Sequence, residues 1–178
     1  MKSLILFFLA GIVFTSCNNQ GTASKDTEKD SMKTTSSTVP NYSYTIDHPD
    51  YWEMGNTANT EVALKAVKAF EVGNIEECIK YFGDSVKLQF DGLDKKVSKD
   101  SAKAMFANWR SNYKSMDVKM KDWESVVSKD KKEEWVTIWY RQSWEDMKGE
   151  KDSSDFIDDL QLKDGKIVRL DEYTRKLH

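Results

Sequence analysis

Residues Ser153–Lys163 alternate in polarity, and that alternation holds the best candidates for chemistry in the chain. One face carries Ser154, Phe156, Asp158, Leu160 and Leu162, the other Asp155, Ile157, Asp159 and Gln161. The first set is the more apolar, so it is expected to face a core with Asp158 as the acid in its midst. A hairpin closing over Lys148–Glu150 keeps the faces matched and brings Val136, Ile138, Tyr140, Gln142 and Trp144 to the same side. Asp158 then lies opposite or diagonal to Tyr140 and Gln142.

A second acid comes from the last hairpin, in one of two registers. A two-residue Asp164-Gly165 turn would turn Ile167, Arg169 and Asp171 inward, whereas a bulge at Gly165 would turn Val168, Leu170 and Glu172 inward. The bulge is preferred, because Arg169 between apolar neighbours would be costly to bury. Either register sets an acid across from Asp158. Two carboxyls at that spacing in apolar surroundings raise one pKa, giving a proton donor beside an acceptor. The simpler alternative is that Asp158 accepts a hydrogen bond from the Tyr140 hydroxyl and the second acid is solvated at the rim.

The elements that position these residues follow from periodicity. Pro40–Gly55 is an aromatic connecting arm, with Tyr42, Tyr44, Tyr51 and Trp52, expected to pack on the domain through Trp52. Asn56 or Thr57 caps a helix whose apolar face is Val62, Ala63, Ala66, Val67, Ala69 and Phe70; Gly73-Asn74 ends it, and a short helix Ile75–Phe82 follows. Asp84–Asp91 reads as a strand. Ser98–Tyr113 reads as a third helix, buried through Ala102, Met105, Phe106, Trp109 and Tyr113. From Met116 the period becomes two, over Met116–Ser128, Glu134–Met147, Ser153–Lys163 and Lys166–Arg175. Helices followed by long antiparallel strands predict an α+β domain over residues 56–178, with the helices on one face of a curved sheet.

The first 39 residues carry a different signal. Lys2, the apolar run Leu4–Phe14, and Thr15-Ser16 before Cys17 form a secretory signal too short to span a bilayer, which takes about 20 residues. Phe14-Thr15-Ser16-Cys17 resembles the bacterial lipobox, which implies cleavage after residues 1–16 and lipid attachment at Cys17. Residues 18–39 are almost wholly polar and read as a disordered tether. The expected location is the bacterial cell envelope, as an outer-membrane lipoprotein on its periplasmic or surface face, since Asn18 is not the Asp of an inner-membrane retention mark.

Composition narrows the rest. The net charge of −3 and the dispersed Lys, Asp and Glu give no basic stripe, so nucleic acid is not an expected partner. Two histidines, His48 and His178, lie off the strands, and no metal site or cofactor is expected. Cys78 shares helical spacing with Ile75, Ile79 and Phe82, and is read as a core thiol rather than a nucleophile.

The order helix, short helix, strand, helix, four strands, with Phe70-Glu71-Val72-Gly73-Asn74 between the first helices and Asp164-Gly165-Lys166-Ile167 in the final hairpin, resembles the nuclear transport factor 2 superfamily, which includes ketosteroid isomerases and SnoaL-like polyketide cyclases. The resemblance implies a cone: a bent antiparallel sheet wrapped around three helices, with a pocket at the wide end. Placed on the isomerase pattern, Asp158 matches the oxyanion-hole Asp, but Ala66 falls at the Tyr position and Phe90 at the base position, with Asp91 expected on the opposite face.

The expected pocket combines Phe90, Phe106, Trp109, Tyr140, Gln142, Trp144, Asp158, Leu160, Leu170 and Glu172. Its composition favours a site for a small apolar ligand without catalysis. The alternatives are an acid–base isomerase, cyclase or dehydratase using Asp158, Tyr140 and Glu172 or Asp171, and a scaffolding module with a filled cone. On the outer sheet face Trp135 and Trp139, and Trp123 as a third candidate, alternate with Thr137 and Arg141. That pattern predicts a homodimer contact, unless Tyr42, Tyr44 and Trp52 of the arm fold over it.

Overall fold

The computed structural model describes residues 41–177. The signal segment, Cys17 and the tether lie outside the described residues, as do Pro40 and His178.

Helix α1 (Thr57–Glu71) starts where the Asn56 side chain accepts the Ala58 amide at 2.9 Å. Its buried side is small, with Ala63, Ala66 and Ala69, which allows close approach to a sheet. Gly73 at φ +78° ends the helix and Asn74 caps α2 (Ile75–Cys78), so the linking motif works as expected. The second helix is shorter than predicted: at Ile79–Tyr81 it tightens to a 3-10 turn that feeds the sheet. Ser98 caps α3 (Lys99–Arg110). From its last turn, Arg110 donates to the carbonyls of Phe70 and Glu71 at 3.2 Å and of Tyr113 at 2.7 Å. One guanidinium thus satisfies the open carbonyl end of α1 and fixes where the long strands begin.

Seven strands form one sheet: β1 (Trp52–Met54), β2 (Phe82–Phe90), β3 (Leu93–Ser98), β4 (Tyr113–Ser128), β5 (Glu134–Asp146), β6 (Lys151–Lys163) and β7 (Lys166–Lys176), in the order β1-β4-β5-β6-β7-β2-β3. All neighbours are antiparallel except β2 and β7. Val86, Leu88, Val136, Ile138, Leu160 and Ile167 form the sheet side of the core, facing Ala63 and Ala102. This is the expected α+β cone, a curved and unclosed sheet against three helices.

Four expectations need correction. Two strands were not foreseen: β3, a charged edge strand paired with β2 across Asp91-Gly92, and β1, within the arm. The arm is held by backbone pairing with β4, and by Tyr51, whose carbonyl accepts from Lys129 at 2.8 Å, rather than by burial of Trp52, which is 42% exposed. Tyr113 begins β4 instead of ending α3. The last hairpin combines both predicted registers. Asp164 and Gly165, at φ 52° and 69°, make a two-residue turn that places Ile167 inside. The bulge comes at Val168 rather than Gly165, and from there Leu170 and Glu172 face inward and Arg169 and Asp171 outward.

Candidate functional site

Between the helices and the concave side of the sheet lies a cavity of about 520 Å³. Of the expected pocket residues, Phe90, Phe106, Trp109, Tyr140, Gln142, Asp158, Leu160, Leu170 and Glu172 line it. Trp144 does not. It keeps the inward parity of β5 but lies beyond the cavity, against the edge of Tyr113 at 5.7 Å, because parity sets the face and not the depth along it. Tyr113 takes up the wall position instead, and Phe70, Phe82, Met105 and Phe156 enlarge the apolar lining.

The rings interlock. Phe90 meets Trp109 edge-on at 5.1 Å, Phe106 meets Phe82 at 5.0 Å, and Tyr140 stacks on Phe156 at 5.3 Å. Asp91 was expected to point away, but in the β2–β3 turn it joins the cavity rim with Gly92, because a turn breaks the alternation of the strand. Ala66 and Phe90, at the places of the isomerases' tyrosine and base, both line the wall and offer no acid or base there.

The acids resolve clearly. Asp158 and Glu172 are direct partners across β6 and β7, with Cβ atoms about 5 Å apart in such a pair. Tyr140 donates its hydroxyl to Asp158 Oδ2 at 3.0 Å. Asp158 is 4% exposed, and its Oδ1 has no hydrogen-bond partner among the described residues. Burial, and then the nearby Glu172, hold Asp158 well above the ordinary carboxylate range. Burial raises Glu172 to about 7. Tyr140 is pushed up in turn by burial and the Asp158 charge. With Oδ2 accepting from Tyr140, the proton that Asp158 retains belongs on Oδ1, so the pair can present a donor to the cavity. Cys78 is on the wall, its thiol pushed up to about 12 by burial, which leaves no thiolate for nucleophilic attack. Among the described residues no group of three or more His, Cys, Asp or Glu is placed to hold a metal ion. No described helix is long and apolar enough to cross a membrane.

The convex face is organised in rows across the strands. Lys119, Arg141, Asp155 and Arg175 form one row, Asp122, Trp139, Ile157 and Tyr173 the next, and Glu124, Thr137, Asp159 and Asp171 the third. Asp155 receives Arg141 at 2.9 Å, Lys121 at 2.6 Å and Arg175 at 2.5 Å, and these hold its carboxyl well below the usual range. Asp171 is paired with Arg169 at 2.6 Å, and Arg169 also lies over the Trp135 ring at 5.4 Å. Trp123 pairs with Ile138 and so belongs to the helix side, not to this face. The arm runs along the β4 edge, leaving Tyr44 83% exposed, and does not cover the face as the alternative expected.

A family model described as a domain of unknown function, DUF4783, matches residues 64–150. No curated protein matches the sequence. Among solved structures, AusH from Aspergillus nidulans aligns with a TM-score of 0.56 at 16% identity, covering 71% of this chain and 89% of that one. An NTF2-like protein of unknown function from an Exiguobacterium species aligns at 0.54 and 16% identity, covering 65% and 99%. An LEH-like epoxide hydrolase from M. tuberculosis aligns at 0.55 and 11% identity, covering 67% and 84%. Together with the element order and the helix-lined cavity, these likenesses give the chain the nuclear transport factor 2-like fold.

Proposed function

We propose that the protein is an envelope lipoprotein, anchored through Cys17, whose cone binds a small, largely apolar ligand without catalysis. The observation that carries this reading is the cavity of about 520 Å³, walled by aromatic rings around one buried polar cluster, which is how small-molecule sites are commonly built. The wall residues Ala66 and Phe90 leave Asp158 without the partners that steroid-type isomerisation uses in this fold. Thermal-shift screening of the full chain against apolar metabolites tests the reading. A ligand is expected to raise the melting temperature, by about 2.7 kcal/mol of added stability at a hundredfold excess over Kd. No shift with any compound, together with a collapsed cavity in a crystal structure, would sink it.

A second reading is favoured by the Tyr140–Asp158–Glu172 cluster: an acid–base isomerase, cyclase or dehydratase in which Asp158 gives up its proton. The same screen separates the two. Any compound that shifts the melting temperature and is also turned over, with turnover lost in Asp158→Asn, makes the protein an enzyme.

The anchor has its own test. Cys17→Ser is expected to abolish labelling by palmitate, because the serine hydroxyl lacks the thiol's nucleophilicity. A wild-type chain that takes up no label would make Cys17 incidental. The proposal also pairs two copies through the convex face, around Trp139 and Trp135.

A further inference from the structure

We infer that the cavity selects a lipophilic organic cation, an amine carried on an apolar body, in preference to a neutral or anionic ligand of the same shape. The inference rests on the ligand-binding reading above and names the ligand's charge. Three acids line the cavity, Asp91 at the rim and Asp158 and Glu172 within, and among the described residues no Lys, Arg or His lines the wall. The contrast with the other side of the same sheet is sharp. There Asp155 and Asp171 each have a guanidinium partner, whereas the inner pair has none among the described residues. Buried carboxyls without a counter-charge are costly, and a ligand that brings the counter-charge removes that cost on arrival.

Geometry gives a cation more than one contact. Asp158 Oδ1 is buried and unpartnered among the described residues, and Glu172 stands directly across from it. A carbonyl ligand would use one protonated carboxyl and leave the second acid without a role, whereas an ammonium group can donate to both. The Phe90, Trp109 and Phe106 cluster supplies the apolar wall, and ring faces in a desolvated site add cation–π attraction.

The pair's titration sets a pH signature. The ionisable groups around it are Tyr140, Tyr113 and Cys78 on the wall, Asp91 at the rim and Asp159 behind the sheet. The three wall groups stay neutral between pH 5 and pH 8. With Glu172 ionising at about 7, a cation must displace the Glu172 proton at lower pH and meets a carboxylate there at higher pH, so its affinity rises with pH through neutrality.

The test uses the full chain in phosphatidylcholine nanodiscs, with empty discs subtracted, titrated with naphthylmethylamine, naphthylmethanol and naphthoate at pH 5 and pH 8. At the higher pH the amine is expected to bind about tenfold or more tighter than the alcohol, as a charge-assisted hydrogen bond supplies, and naphthoate weakest. The preference should shrink at the lower pH in the wild type, and at the higher pH in Glu172→Gln and in Asp158→Asn. Equal binding of amine and alcohol, tightest binding of naphthoate, or an amine preference untouched by pH and by both variants overturns the inference and leaves the pocket reading standing. If none of the three compounds binds, the cation inference is overturned, and with a failed thermal-shift screen the pocket reading falls as well.

Discussion

Glu172 and Asp155 are carboxylates on the two faces of one sheet, and they respond to pH in opposite ways. Asp155, held down by three cations, contributes stability that is present above the unfolded carboxylate range and lost as pH falls through its depressed folded value. Glu172 does the reverse. Its pKa rises from 4.5 to about 7 on folding, so the folded chain holds a proton that the unfolded chain releases, and stability falls as pH rises through that window. Glu172→Gln removes the ionisation and keeps the shape. We expect the variant to be more stable than wild type at pH 8, on the order of 2 kcal/mol, with little difference at pH 4. Urea midpoints at the two values decide it, and a variant less stable at both would mean that Glu172 is better paired than its surroundings imply. Asp155 was legible in the sequence because strand parity reports which face a side chain takes. Glu172 was one of two candidates with Asp171, since a bulge resets the parity and the periodicity does not say where it falls. Trp144 was not legible, since its place relative to the cavity depends on where the helices stop covering the sheet, and no local pattern encodes that.

At the level of elements, what the sequence reveals is periodicity, and the elements missed are those without one. The long strands from β4 to β7 alternate over enough residues to be read almost to their ends. Strand β3, with Asp94, Lys95 and Lys96 at its centre, is an exposed edge and carries too few apolar side chains to announce itself. Strand β1 depends on a tertiary contact that only close backbone approach permits. Gly55 donates to the Ser125 carbonyl at 2.8 Å, and a Cβ at this position would lie 2.3 Å from Ser125 Oγ and 2.8 Å from the Ser125 and Val126 backbone. Gly55→Ala should therefore peel the arm from β4 and leave the rest of the sheet intact. Hydrogen exchange is expected to lose protection at Glu53 and Gly55, the positions of β1 that bond to β4, while the core amides of β5 and β6 stay protected. Unchanged protection at Glu53 and Gly55 would show that the β4 backbone can give way.

For the molecule as a whole, the convex face raises the question of what meets its apolar row. Ile157 is 38% and Tyr173 59% exposed, with Trp139 half-buried beside them. Charge rows flank this strip, one mostly cationic through Lys119, Arg141 and Arg175, the other mostly acidic through Glu124, Asp159 and Asp171. A second copy turned about a twofold axis along the apolar row would lay the strip on itself and bring each cationic row against the partner's acidic row. Arg175 would then face the partner's Asp171, and Lys119 the partner's Glu124. A partner with one sign of charge would be repelled by one row or the other, so a second copy fits this face best. We expect a dimer in sedimentation velocity at micromolar concentration that weakens as salt is raised, because the rim contacts are between exposed charges. Tyr173→Glu places a carboxylate in the apolar strip at a side chain already open to solvent. It should give a monomer with an unchanged melting temperature when both proteins are compared at low concentration. A wild-type chain that sediments as a monomer at tens of micromolar and low salt would rule out the pairing.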